Sequence, residues 1–219
     1  MSPAPPQPRG RIRPMLAVGD LVLSALWVCA GALVKLAYAT GGASYYPLTV
    51  LAATLSSGGG PAVYLFTAFV RIPTQVIGAV LGVNLIQLAF PKVGKGARLS
   101  VGAHHGALAE GLATFLVVMV SVTLKKKEMK SFFMKTWITS VWKNTIHILS
   151  SDISGGIMNP ASAFAWAYAR GDHSTFDHLL VYWLAPLQAT LLGVWVVTFL
   201  TKPKKIEEPD ADKDKTKKE

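Results

Sequence analysis

Apolar residues dominate five long stretches of the chain, roughly 15–39, 62–90, 101–124, 133–153 and 178–201, and each carries at least one polar residue inside it. A helix needs about 20 mostly apolar residues to cross a hydrocarbon core of ~30 Å, so each stretch predicts a membrane-spanning helix. Two shorter apolar pieces, 47–55 and 160–169, are too short to span. Each opens on a proline, Pro47 or Pro160, with glycines a few positions earlier. Proline fits the first position of a helix and the glycines permit a tight turn before it. Both pieces therefore predict half-helices that dip into the membrane. Non-helical backbone at that depth survives only where protein buries it or where it lines a watery cavity, so the pair predicts a pore or a binding site.

Composition agrees with this pattern. Of the 219 residues, 51% are hydrophobic and 16% charged, with a mean hydropathy of +0.39. The charges are segregated into a basic arm (Arg9, Arg11, Arg13), a central run (Lys125, Lys126, Lys127, Lys130) and a tail from Lys202 onward. The predicted organisation is a disordered arm over 1–14, a transmembrane domain over 15–200 and a charged, disordered tail over 201–219. The first apolar stretch is too long for a cleaved signal, whose apolar core is ~7–15 residues, and predicts a retained span. The net charge of +10 sits at the ends of apolar segments without interleaved aromatics, which points to cytoplasmic flanks and not to nucleic acid. The single cysteine, Cys29, lies inside an apolar segment and excludes an intrachain disulfide. Lys215 and Lys217, in the final "KTKKE", resemble a dilysine signal for retrieval to the endoplasmic reticulum.

The segment "GGASYYPLTVLAA" from Gly41 echoes "GGIMNPASAFAWA" from Gly155. Aligned through Pro47 and Pro160, the two make an inverted repeat, 15–90 against 101–200, with Tyr46 standing where the later copy has Asn159. Asp20 and Glu110 occupy matching places in the first helix of each half, and such carboxyls should face the interior. From Glu110 to Asn159 is about 49 positions and from Asp20 to Tyr46 about 26, a shortfall of about one spanning helix. Topology leads to the same place. The "LKKKEMK" loop and the basic arm should both be cytoplasmic, which the segment before Pro61 cannot reconcile without another crossing. The first half is therefore expected to lack its second helix, giving about five full spans instead of six.

"GGIMNPASAFAWA", "HILSSDI", the glutamate in "HHGALAEGLATFLVV", "TQVIGAVLG" and "VYWLAP" together resemble the aquaporins, or major intrinsic proteins, from Asp20 to Leu200. The small size, the basic balance, Asp20 in place of a glutamate and "YPL" near an expected Asn-Pro-Leu look like the plant small basic intrinsic proteins of the second type. The resemblance implies an all-α membrane fold of tilted helices with two re-entrant half-helices meeting at the membrane centre, in tetramers with one pore per subunit. It implies passive conduction of water or small neutral solutes across the lipid bilayer, in the endoplasmic reticulum membrane.

Carried residue by residue, the resemblance assigns Asn159, Pro160 and Ala161 to one pore motif and Tyr46, Pro47 and Leu48 to its counterpart. Asparagine at a helix N-cap satisfies backbone donors through its oxygen and keeps amide N–H groups for a passing water, while the positive end of the helix dipole repels cations. The outer filter matches His147, Gly156 and Ser162, with serine where strict water channels carry arginine; a wider, less water-selective constriction follows. Glu110 is expected to support the loop carrying the second half-helix, and Asp20 to be its counterpart. Arg71 either snorkels or pairs internally. His105 and Glu110 are in poor register for a shared metal ion, so neither metal nor cofactor is expected. No nucleophile–base set points to an enzyme. The rival expectation is a non-conducting membrane protein that associates with intact relatives, since Tyr46 can neither cap its half-helix compactly nor offer amide donors.

Overall fold

The computed structural model describes residues 43–91, 96–127 and 131–201, together with positions 18, 21, 24, 25, 29, 39 and 40. It divides into two units, Met1–Ser44 and Tyr45–Glu219. In the first, all of those isolated positions but Thr40 are helical, and Thr40 Oγ1 accepts a hydrogen bond from the Ala43 N–H at 3.3 Å. Asp20, the basic arm and the charged tail lie outside the described residues.

The second unit is all-helical among its described residues. The elements are α1 (Pro47–Ser57), α2 (Pro61–Ala89), α3 (Ala103–Lys126), α4 (Phe132–Ser154), α5 (Pro160–Arg170) and α6 (Phe176–Leu200). Each begins and ends within about two residues of its predicted segment, the ordinary scatter of helix ends. α2, α3 and α6 are long and apolar enough to cross a membrane. α4 is 23 residues long but does not reach that apolarity, because Lys135, Lys143, His147 and Asp152 interrupt it. The fourth predicted span therefore forms as a helix, but a less apolar one than the other three.

Small residues draw α3 and α6 together. A methyl group added at Gly193 would meet Val118 Cγ1 at 3.0 Å, and one at Gly111 would meet the Ala185 Cβ and carbonyl oxygen at 3.7 Å. Such seams replace the hydrophobic drive that helices lack in lipid. Val118, Val122, Val194 and Val197 fill the space beside the Gly193 contact, with Ala52 of α1 completing the cluster. The outward faces are apolar: Phe69, Leu81, Leu85, Leu88, Leu108, Trp195 and Phe199 are all exposed. A surface of that kind is stable against acyl chains and not against water.

α2 and α6 share an irregularity. Each contains a five-residue π-helical segment, Thr67–Arg71 and Leu180–Leu184, followed two residues later by a proline, Pro73 or Pro186. An interior proline has no N–H to donate and crowds the carbonyl four residues back; a widened turn relieves both. The halves thus repeat in their long helices as well as in their short ones. In the first half the widened turn serves as an anchor, because the Thr67 and Thr54 hydroxyls lie 3.2 Å apart, both buried, tying α2 to α1.

Candidate functional site

α1 and α5 are each eleven residues long, start on proline and stop at a glycine in the left-handed conformation, Gly58 or Gly171. Their N-terminal ends come together. The Asn159 side chain accepts from the N–H groups of Ala161 at 3.2 Å and Ser162 at 3.4 Å, satisfying two of the donors that a helix start leaves open. Its Nδ2 donates to the Tyr45 carbonyl at 3.4 Å. An amide has two such N–H bonds, so one is committed across the junction. The expectation that both stay available to a passing solute is corrected: the extended backbone before α1 brings a carbonyl against the amide.

Tyr46 caps α1 in the same extended conformation but without a side-chain bond to the helix. Its ring is buried, 5% exposed, among Leu48, Ala113, Val117, Ile146 and Met158. Pro47 and Leu48 are buried with it, as are Pro160 and Ala161 in the other copy. Below Tyr46 a cavity of about 60 Å³ runs between α1 and α3, past Thr49, Ala52 and Ser121 to Lys125. That is room for about two waters at their share of liquid volume. Tyr46 forms part of its wall. A larger cavity of about 590 Å³ lies elsewhere, lined by Arg98, Arg170, Asp172, Asp177 and His178, and touches neither Tyr46 nor Asn159.

The connection from α4 to α5 is held from below by Glu110. This side chain is fully buried and accepts from Ser154 Oγ at 2.6 Å, the Ile157 N–H at 3.1 Å and the Met158 N–H at 2.8 Å. Met158 is buried with φ 47°, a strained value for a side chain with a Cβ, and its bond to Glu110 helps hold that geometry. The Ser154 carbonyl in turn accepts from the Tyr182 hydroxyl at 2.7 Å, so α3, α6 and the connection are fastened at one point.

His147 Nδ1 lies 2.8 Å from the Gly156 carbonyl oxygen. A carbonyl only accepts, so Nδ1 carries the proton, leaving Nε2 for other partners. Gly156 itself has φ 55°, and a Cβ there would sit 2.6 Å from both the His147 carbonyl oxygen and Ser150 Oγ. Only glycine fits. Ser162, half-buried on the first turn of α5, completes the set of filter candidates. His105 belongs to no group of three or more histidine, cysteine or acidic side chains able to hold a metal, for there is none among the described residues.

One residue of this region was absent from the sequence reading. Lys143, one helical turn before His147, places its ammonium 4.5 Å from the centroid of the Tyr46 ring and 5.2 Å from that of Tyr45. The signal was there: a lysine midway along a predicted span, four residues from a filter candidate, and so on the same helix face.

The sequence profile of the major intrinsic protein family matches residues 16–197. The chain belongs to that family. Members of the major intrinsic protein family are membrane channels for water or small solutes and not enzymes, and this member is an integral membrane protein with their helical fold. It is 73% identical to aquaporin SIP2-1 of Zea mays and 69% identical to aquaporin SIP2-1 of Oryza sativa subsp. japonica, each over 251 aligned positions covering all of both chains. It is 48% identical to the probable aquaporin SIP2-1 of Arabidopsis thaliana, over 86% of this chain and 92% of that one. Within the major intrinsic proteins it is one of the small basic type, second group. With 251 positions aligned against 219 residues, roughly 32 positions of the Zea mays protein have no counterpart, more than the ~20 that a spanning helix needs. Only six residues separate Thr40 from Pro47, too few to cross a bilayer.

Proposed function

We propose that this protein is a passive channel for water or small neutral solutes whose throughput is limited at Tyr46. The observation that carries the reading is the end-to-end meeting of α1 and α5, where the Asn159 amide is fixed by its own helix on one side and by the Tyr45 carbonyl on the other. Fixing the oxygen as acceptor leaves an N–H donor with one orientation. A solute passing it must accept, which breaks the donor–acceptor alternation that a proton relay along water requires. His147, Gly156 and Ser162 form the outer constriction, where serine supplies neither the bulk nor the fixed charge of arginine, so solutes larger than water are admitted. Asp20 is the first-half counterpart of Glu110. The site of action is the endoplasmic reticulum membrane, and the assembly is a tetramer.

The test is osmotic shrinkage of proteoliposomes holding the full chain, with water, glycerol and hydrogen peroxide offered in turn. Faster shrinkage than lipid alone for at least one of them is expected. Rates equal to lipid for all three would remove the channel reading.

A second reading is favoured by the roughly 32 unmatched positions, which exceed one spanning helix of ~20 residues, and by the buried ring of Tyr46. On it the chain conducts nothing and acts by joining tetramers of intact family members. Co-expression with an intact relative, followed by measurement of that relative's permeability and of mixed tetramers by cross-linking, separates the two.

A further inference from the structure

We infer that Lys143 is a specificity-determining residue at the pore centre, a fixed positive charge that excludes cations, ammonium-type solutes included, and leaves the path to neutral solutes. α4 presents Lys143 and His147 one turn apart on one face. His147 reaches the Gly156 carbonyl, at the filter. Lys143 Nζ lies over the rings of Tyr45 and Tyr46 and 3.4 Å from the Tyr45 hydroxyl, and Tyr45 is the residue whose carbonyl takes the Asn159 amide. The half-buried ammonium thus rests on the side chains of the two residues that lead into α1, the Tyr45 side chain being exposed.

Three observations make the charge a working one. No carboxylate among the described residues pairs with Lys143, so its field is not cancelled at source. Its ligands are two aromatic faces and a hydroxyl, which hold a cation without neutralising it. An ionisable side chain within a membrane span is expensive and faces a polar interior or a cavity when it persists. Ser162 also stands where a filter arginine would supply positive charge, so a cation placed deeper restores that element in another position. A second unit charge ~6 Å from Nζ, at an effective dielectric constant of ~20, would be disfavoured on the order of a hundredfold.

This inference gives a charge preference to the site of the channel reading and rests on that reading for its meaning, but it can be measured without flux. Cys29 is the chain's single cysteine; replacing it with alanine and adding Ser162→Cys puts one thiol at the first turn of α5. In the full chain in liposomes, the modification rates by a cationic and an anionic methanethiosulfonate of similar size report the local potential. The expected result is that Lys143→Met raises the cationic-to-anionic rate ratio on the order of tenfold or more, while Lys143→Arg leaves it near the parent value. A ratio unmoved by Lys143→Met would overturn the inference. Methylammonium and glycerol uptake by the same liposomes, with position 162 left as serine, form the second arm. Glycerol flux retained and methylammonium flux newly present in Lys143→Met supports it; glycerol flux with methylammonium still excluded counts against it. A parent chain that passes no solute at all defeats the channel reading alone, and the thiol ratio still decides the charge.

Discussion

Tyr46 and Asn159 hold one backbone conformation, φ −124° and ψ 105° in the first and φ −123° and ψ 101° in the second, each immediately before the proline that opens an eleven-residue helix. The cap geometry is therefore set by the repeat and not by the capping side chain. Asparagine uses it to satisfy two backbone donors; tyrosine leaves them without a side-chain bond and puts its ring into the surrounding cluster. Tyr46→Asn should gain about 1 kcal/mol from the restored cap and lose about 3 kcal/mol from the emptied ring site. Packing wins, so the variant should be less stable by about 2 kcal/mol while solute flux rises. Thermal unfolding in detergent and liposome shrinkage, measured together, should move in opposite directions. Flux unchanged by the substitution would show that Tyr46 does not limit the path.

Glu110 accepts from three donors, and their loss is not equivalent to losing one bond. Glu110→Ala leaves Ser154 Oγ and the Ile157 and Met158 N–H groups buried without that acceptor and opens a void besides. At about 1–3 kcal/mol for each unsatisfied buried group, the total takes a large share of a typical folding free energy of about 5–15 kcal/mol. The variant should fail to yield monodisperse protein on size exclusion. Glu110→Gln keeps the shape but turns an amide N–H toward a donor, and should fold with a melting temperature lowered by several degrees. Equal behaviour of the two variants would mean that the carboxyl fills space without holding the connection.

How much was legible in the sequence depends on how local each cause is. The half-helices could be read because Pro47 and Pro160, with glycines nearby, act within a few residues, and the spans because apolar length is a property of one segment. The commitment of Asn159 Nδ2 to the Tyr45 carbonyl was not legible, since it joins residues 114 positions apart and depends on how two helix ends meet. Lys143 was read past for the same reason. Alone it looks like a charge in a helix, and only Tyr45 and Tyr46, brought across from the other half, show where its ammonium rests. The π-helical turns before Pro73 and Pro186 sit between these cases: the prolines are plain in the sequence, but matching them requires the two long helices to be aligned as repeats.

Gly156 combines a left-handed φ with no room for a Cβ, the contacts at 2.6 Å being to a backbone carbonyl of α4 and to a serine hydroxyl. The hydroxyl can turn away; the carbonyl cannot. Gly156→Ala should therefore cost about 2–3 kcal/mol through strain and overpacking, and should push the loop away from His147. Loss of the His147 Nδ1 bond to the Gly156 carbonyl would shift the imidazole resonances in a spectrum of protein labelled at histidine. An alanine variant with parent stability and parent histidine shifts would mean that the connection relaxes freely there.

Ser162 stands on the first turn of α5, its N–H donated to the Asn159 oxygen at 3.4 Å, so a longer side chain can be placed there without disturbing the cap, which uses backbone N–H groups only. Ser162→Arg adds length, five N–H donors and a permanent charge. Width discriminates among neutral solutes and charge does not, so in a conducting chain glycerol flux should fall on the order of tenfold while water flux falls less than about threefold. Any cation exclusion already present should be kept or strengthened, since the arginine adds a second fixed charge to the one inferred for Lys143. Parallel shrinkage assays with water and glycerol check this on one preparation. Equal loss of both fluxes would place Ser162 on a structural face of α5, away from the solute path, with arginine acting there by disturbing the fold.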